Sequence, residues 1–141
     1  MGSAIASNLL TRGYELHAYN RTLEKAKPIG EKGGVIHSNA KELASAVDIV
    51  ITSLTDENAV KQVAFGSEGF VSSLDKKGVW IEMSTIDPDA SVEIEQEART
   101  LGVTKLGVPI VGAPEMEMQG KVILLAGGPK EAFEKYEPFS K

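Results

Sequence analysis

Strand-like apolar runs alternate with helix-patterned segments along nearly the whole of this 141-residue sequence. Asp48-Ile49-Val50-Ile51-Thr52-Ser53-Leu54 has the continuous apolar character of a strand covered on both faces. Val79-Trp80-Ile81-Glu82-Met83 is a second such run, and Val35-Ile36-His37 a brief one after the Gly33-Gly34 turn. Tyr14-Glu15-Leu16-His17-Ala18-Tyr19 reads as a strand with Leu16 and Ala18 as its interior set. Between these runs the spacing turns helical. Residues 2–12 carry Ile5 and Leu9 among small alanines, and Gly13 suits the position past a helix end. Thr22 to Gly30 predicts a short helix interrupted by Pro28, Asn39 a cap for 40–46, and 56–64 a further helix. Asp87-Pro88-Asp89 opens the clearest helix, with Ile94, Ala98 and Leu101 as its buried stripe and Gly102 at its end. Strand-like segments at 105–110 and 121–126 and a last helix at 129–137 complete the pattern. Such alternation restricts the chain to a doubly wound α/β domain, a mostly parallel sheet with helices on both faces. The last two strands, joined by a loop, are placed antiparallel at one edge.

The length allows one domain with a substantial core. A net charge of -5 and a pI near 5.1 weigh against a nucleic-acid or membrane-surface binder. The sequence has no cysteine, which excludes disulfide frameworks and thiolate metal sites. No apolar run reaches membrane-spanning length and no secretory pattern opens the chain, so a cytoplasmic protein is expected.

The first ten residues, Met1-Gly2-Ser3-Ala4-Ile5-Ala6-Ser7-Asn8-Leu9-Leu10, read as the back half of a glycine turn running into its helix. Eighteen residues beyond Gly2, Asn20 sits in Tyr19-Asn20-Arg21-Thr22 at the end of a strand-like run. A dinucleotide-binding βαβ unit puts its glycine turn before the first helix and its ribose-reading residue about 20 residues later. The usual first strand and the first two glycines are not in the sequence, so the expectation is a cofactor domain with its front edge cut off. That strand is the centre of a sheet in the order 3-2-1-4-5-6, and its loss leaves two neighbours unpaired. Four to six apolar side chains buried on it would stabilise by roughly 6–18 kcal/mol before entropy, comparable to a domain's net stability of about 5–15 kcal/mol. Without that strand the chain is expected to be marginal, or rescued by another segment.

Four motifs recur in order: Met1-Gly2-x-x-x-Ala6-x-Asn8-Leu9, Tyr19-Asn20-Arg21-Thr22, Met83-Ser84-Thr85-Ile86-x-Pro88 and Gly120-x-x-x-x-x-x-Gly127-Gly128. With them the chain resembles the N-terminal NAD(P)-binding domain of β-hydroxyacid dehydrogenases, the family of 3-hydroxyisobutyrate dehydrogenase, tartronate semialdehyde reductase and glyoxylate/succinic semialdehyde reductases, with 6-phosphogluconate dehydrogenase more distant. The resemblance implies a Rossmann-type fold and a two-domain, usually homo-oligomeric enzyme that interconverts a β-hydroxyacid or a semialdehyde with its redox partner. It also implies that the acid/base lysine lies in an all-helical second domain beyond residue 141. No lysine here sits in the corresponding Gly-x-x-x-Lys pattern, and Lys121, Lys130 and Lys135 read as surface positions. No catalytic residue is therefore assigned within 1–141, and the chain alone is expected to be inactive. The alternative is a non-catalytic nucleotide- or protein-binding module, a pseudoenzyme or gene fragment.

Candidate cofactor residues follow from position. Met1 and Gly2 sit at a helix N-terminus, where backbone N–H groups and the helix dipole favour a pyrophosphate. Met-Gly is equally what a start codon and a small residue would give. Asn20, Arg21 and Thr22 offer a guanidinium and neutral hydrogen-bonding groups where a carboxylate would select NAD, so NADP is the expected cofactor, with NAD possible. Leu54 and Thr55 end one strand and Thr85 follows another, at the carboxyl edge where open sheets bind ligands. Thr55-Asp56 also serves as a plain helix cap, and Ser84 or Thr85 can simply stabilise a turn. The resemblance puts Leu54-Thr55 on the adenosine-ribose side and Thr85 near the nicotinamide. It also puts Gly112 and Ala113 in the substrate-carboxylate pocket. There the family has Pro-Val-Ser-Gly-Gly, but Val111 replaces the serine and Ala113 the second glycine. Either the substrate differs, or backbone N–H groups alone hold it, or none is bound. His17 and His37 lack neighbours at metal-ligand spacing and read as satisfied or exposed. Glu93, Glu95 and Glu97 read as a solvated face, and Glu115-Met116-Glu117-Met118 as a loop or edge strand. Trp80 is expected to pack under a helix.

Overall fold

The computed structural model describes residues 1–119, 121 and 123–140. Gly120, the first glycine of the last motif, lies outside them. Helix α1 (Gly2–Thr11) leads to β1 (His17–Ala18), a 3-10 turn at Leu23–Ala26, α2 (Lys27–Glu31), β2 (Val35–Ile36) and α3 (Ala40–Ser45). Next come β3 (Ile49–Thr52), α4 (Glu57–Phe65), β4 (Val79–Glu82), α5 (Pro88–Thr100) and β5 (Thr104–Gly107). The chain then forms β6 (Ile110–Val111), α6 (Pro114–Met118), β7 (Ile123–Leu124) and α7 (Lys130–Ser140).

The parallel strands form two sheets, β1 with β2 and β3-β4-β5, and β6 pairs antiparallel with β7. Among the described residues β1 and β3 each have a strand on one side only. In the larger sheet Thr52 is in register with Glu82 and Gly107, and Val50 with Trp80 and Lys105. Successive side chains point to opposite faces, and each face has its own core. Val50 and Trp80 join Val60 and Ala64 of α4 and Ile94 and Ala98 of α5. On the other face Val79, Ile81 and Leu106 pack with Ile5 and Leu9 of α1 and Ala132 and Tyr136 of α7. Helices on both faces of a parallel sheet are the doubly wound Rossmann-type arrangement. Trp80 is fully buried, edge-on to Phe65 and Phe70, with ring centroids 6.0 and 5.0 Å away.

Local chemistry sets the element ends. The Asn39 side chain accepts from the Glu42 N–H and that of Asp56 from Ala59, while Asp87 accepts from Asp89 and Ala90. Gly13 and Gly102, with φ of 84° and 83°, turn the chain out of α1 and α5 in a conformation L side chains rarely adopt.

Several expectations need correction. The strand expected over 14–19 hydrogen-bonds as a strand only at His17–Ala18. Pro28 lies in the first turn of α2 instead of interrupting a helix, because its missing N–H is harmless there. Leu101 lies just past α5 and is 56% exposed, so Ala90 completes the buried stripe in its place. Pro109 falls between β5 and β6 and divides the run 105–110. Glu115–Met118 is helical, opened by Pro114, so a short helix and not only a loop joins the antiparallel pair.

Candidate cofactor site

Asn20–Thr22 follow β1, Leu54 and Thr55 follow β3 and Thr85 follows β4, each beyond the carboxyl end of a parallel strand. Met1 caps α1 with its carbonyl, which accepts from the N–H groups of Ala4 and Ile5; no side chain caps the first turn, and no acid lies in it. A Cβ on Gly2 would come 3.7 Å from the Ser53 carbonyl oxygen, so the N-terminus of α1 lies beside the segment that leaves β3. One residue further, the Leu54 N–H donates to the Ser84 hydroxyl over 2.8 Å and ties the loop after β3 to the loop after β4. Thr55 and Thr85, the next residues in those two loops, are exposed. Met1, Gly2, Leu54, Thr55 and Thr85 are thereby gathered along one edge.

Asn20, Arg21 and Thr22 follow β1 and are exposed. The Asn20 Oδ1 accepts from the Thr22 N–H over 2.9 Å, a side-chain turn that holds Arg21 at its apex. Tyr19, just before this turn, packs on the same core cluster as Leu54. Gly112 and Ala113 are held through a different element. The Ala113 carbonyl starts α6 by accepting from Met116 and Glu117, and Asn8 of α1 donates its Nδ2 to the Glu117 carbonyl over 2.8 Å. No hydrogen bond among the described residues ties Gly112 or Ala113 to the loops at 54 and 85. Burial raises the Glu117 carboxyl above its ordinary value.

Beneath the edge lies a polar layer that sequence reading missed. Glu82 and Lys105 are both buried, on the face of the sheet that carries Trp80. The Glu82 carboxylate accepts from the Thr52 hydroxyl at 2.7 Å through Oε2 and from the Ser84 N–H at 2.6 Å through Oε1. The Trp80 indole donates to Thr52 Oγ1 over 2.8 Å. Lys105 Nζ donates to Ser91 Oγ of α5 over 3.3 Å and lies 5.8 Å from the Trp80 ring centre. Desolvation lowers the Lys105 pKa, opposed by the charges of Glu82 and Glu95. The signal in the sequence was the placement of Glu82 and Lys105 inside strand-like runs.

His17 and His37 pair with each other. His17 Nδ1 and His37 Nε2 are 2.8 Å apart with stacked rings, and His17 Nε2 lies 3.1 Å from Glu15. Glu15 had not been expected as a partner. Among the described residues no group of three or more His, Cys, Asp or Glu could hold a metal, and no helix is long and apolar enough to cross a membrane.

The residues at this edge suit an anionic dinucleotide: a helix start without a side-chain cap, an arginine at a turn apex and two exposed hydroxyls, with no carboxylate among Asn20, Arg21 and Thr22. Comparisons with known proteins bear on the family. The chain is 34% identical over 138 residues to the Bacillus subtilis protein named uncharacterized oxidoreductase YfjR, spanning 98% of the chain and 48% of that protein. It is 34% identical over 141 residues to probable 3-hydroxyisobutyrate dehydrogenase-like 2, mitochondrial, of Arabidopsis thaliana, spanning 100% of the chain and 47% of the relative. Mycobacterium tuberculosis 3-hydroxyisobutyrate dehydrogenase, solved with L-serine, superposes with a TM-score of 0.93 at 20% identity, over 99% of this chain and 47% of that one. The chain thus spans about half the length of these relatives. The family model for the NAD-binding domain of 6-phosphogluconate dehydrogenase matches residues 1–141, and the chain belongs to that family as an NAD(P)-binding domain of the β-hydroxyacid dehydrogenase type.

Proposed function

We propose that residues 1–141 bind NADP(H) in preference to NAD(H), as the cofactor domain of an oxidoreductase that interconverts a β-hydroxyacid and its carbonyl form. The observation that carries the reading is the Leu54–Ser84 hydrogen bond, which ties the loops after β3 and β4 together beside the Gly2 end of α1. Met1 and Gly2 would face the pyrophosphate with helix N–H groups. Arg21, flanked by Asn20 and Thr22, would pair with the 2′-phosphate. Leu54 and Thr55 would lie along the adenosine ribose, and Thr85 toward the nicotinamide. When bound, the cofactor supplies hydride transfer. The protein supplies position and charge, and the acid/base lysine is assigned to a helical domain outside these residues. A small hydroxyacid or semialdehyde is the proposed substrate, with Gly112 and Ala113 holding its carboxylate through backbone N–H groups. Assembly as a homo-oligomer through that helical domain and a cytoplasmic location complete the proposal.

Calorimetric titration with NADPH and NADH tests the cofactor preference. A charge-assisted contact contributes about 1.5–3 kcal/mol, so Arg21→Ala should weaken NADPH by about tenfold or more and leave NADH within about twofold. Equal affinity of the unaltered chain for the two cofactors would refute the preference. A second reading, a non-catalytic binding module, is favoured by Val111, whose apolar side chain is 52% exposed where the family has a serine. Binding of either cofactor without turnover of any hydroxyacid by the complete protein would support it.

A further inference from the structure

Glu82 stands at the end of β4, where a strand covered on both faces ordinarily continues with an apolar residue. Val79, Trp80 and Ile81 before it are all fully or nearly fully buried, and so is Glu82, at 2% exposure. Removing a carboxylate from water costs several kcal/mol unless good hydrogen bonds and a counter-charge offset it. Here each carboxylate oxygen has a partner: Oε2 accepts from Thr52 of β3 and Oε1 from the Ser84 N–H in the loop after β4. Lys105, on the same face of β5, is buried beside this layer, its pKa lowered by desolvation against the opposing charges of Glu82 and Glu95.

This arrangement points outward. Past the last ladder bond, from the Met83 N–H to the Thr52 carbonyl, the two strands separate into the loops that carry Thr55 and Thr85. Ser84 bridges them: its N–H is fixed by Glu82, and its hydroxyl receives the Leu54 N–H. The hydroxyl can accept from Leu54 only while the Ser84 backbone is held in place. Thr52, on the other arm, is itself oriented by the Trp80 indole. A continuous hydrogen-bonded path therefore runs from the buried indole through Thr52, Glu82 and Ser84 to the backbone of Leu54.

We propose that Glu82 is the positioning residue of the cofactor site: through Ser84 its carboxylate sets the spacing of the loops bearing Thr55 and Thr85. Glu82 touches no ligand itself. The inference rests on the NADP(H) reading, and it distinguishes the part of the dinucleotide near Thr85 from the 2′-phosphate end near Arg21, which hangs on a different strand.

The test compares NADPH with 2′,5′-ADP, which carries the adenosine and 2′-phosphate but no nicotinamide, in binding titrations of the purified chain. Glu82→Gln keeps the shape but offers an amide where two donors converge. Ser84→Ala leaves Glu82 and its bond to the residue-84 N–H intact while removing the acceptor for Leu54, so it carries the test if Glu82→Gln does not fold. Each variant should weaken NADPH by about fivefold, the equivalent of one hydrogen bond, and 2′,5′-ADP by less, because that ligand reaches the loop of Leu54 and Thr55 but not Thr85. The double variant should be no weaker than the weaker single one, because both act through one path. Folded variants whose NADPH affinity stays within about twofold of the unaltered chain overturn the proposal. So does equal weakening of both ligands, the mark of a general structural role. An unaltered chain that binds neither ligand overturns the NADP(H) reading and this inference with it.

Discussion

Trp80→Phe probes the centre of the larger core. The indole is the sole tryptophan of the sequence, is fully buried, and meets Phe65 and Phe70 edge-on. A phenyl ring retains most of the aromatic packing but loses two things. The first is the 2.8 Å bond from Nε1 to Thr52, whose removal costs about 0.5–1.5 kcal/mol. The second is buried bulk equivalent to about two carbons, at ~0.8 kcal/mol each, with residual space that adds to the loss. The total is about 2–3 kcal/mol, a large share of a typical net stability of about 5–15 kcal/mol. Urea unfolding followed by far-ultraviolet circular dichroism measures it, since the variant has no tryptophan fluorescence. Thr52→Val removes the same bond from its other end, so the two substitutions should couple by about 1 kcal/mol in a double-mutant cycle. A loss below about 1 kcal/mol with an unchanged denaturant slope, or strict additivity of the two, would refute the indole-centred description.

Other consequences are open to measurement. Burial lowers the Lys105 pKa below its ordinary 10.5, so the unfolded chain binds more protons in the window beneath that value and stability from this group rises with pH across it. Lys105→Met should abolish that rise in the difference between the two stability–pH curves; parallel curves would contradict the burial of the amine. Tyr136 acts in the opposite sense: raised from 10.0 to about 12 by burial and the Glu117 charge, it makes stability fall with pH between those values, a fall that Tyr136→Phe should remove. Asp56→Ala removes the cap that accepts from Ala59 at the start of α4 and should cost about 1 kcal/mol in urea unfolding; no measurable change would show that the cap is dispensable.

The alternation of strands and helices was readable because each depends on neighbours in sequence. Asn39, Asp56 and Asp87 cap helices as their residue types suggest, and Gly13 and Gly102 stand past helix ends. Errors arose where distant contacts decide. β1 is short because a strand needs a partner along its length, and only β2 supplies one among the described residues. Leu101 fits a helical stripe by spacing, but the helix has ended by the time the chain reaches it. The candidate edge residues were found from their places after strands, whereas the layer beneath them was not. Glu82 looks like a polar residue closing a strand, and its burial depends on Thr52, thirty residues earlier, and on Lys105 from the following strand. A one-dimensional pattern does not report which polar groups three strands bring together.

The division of the parallel strands into two sheets has a mechanical consequence. Hydrogen-bond ladders transmit displacement stiffly along a sheet, but no ladder joins β1–β2 to β3–β5 among the described residues. Side-chain packing contributes to the connection, through contacts such as those of Tyr19 and Leu54 with a common cluster. Arg21 follows a strand of the smaller sheet and Thr85 a strand of the larger one. A dinucleotide that engaged both would therefore join segments that no strand pairing links among the described residues.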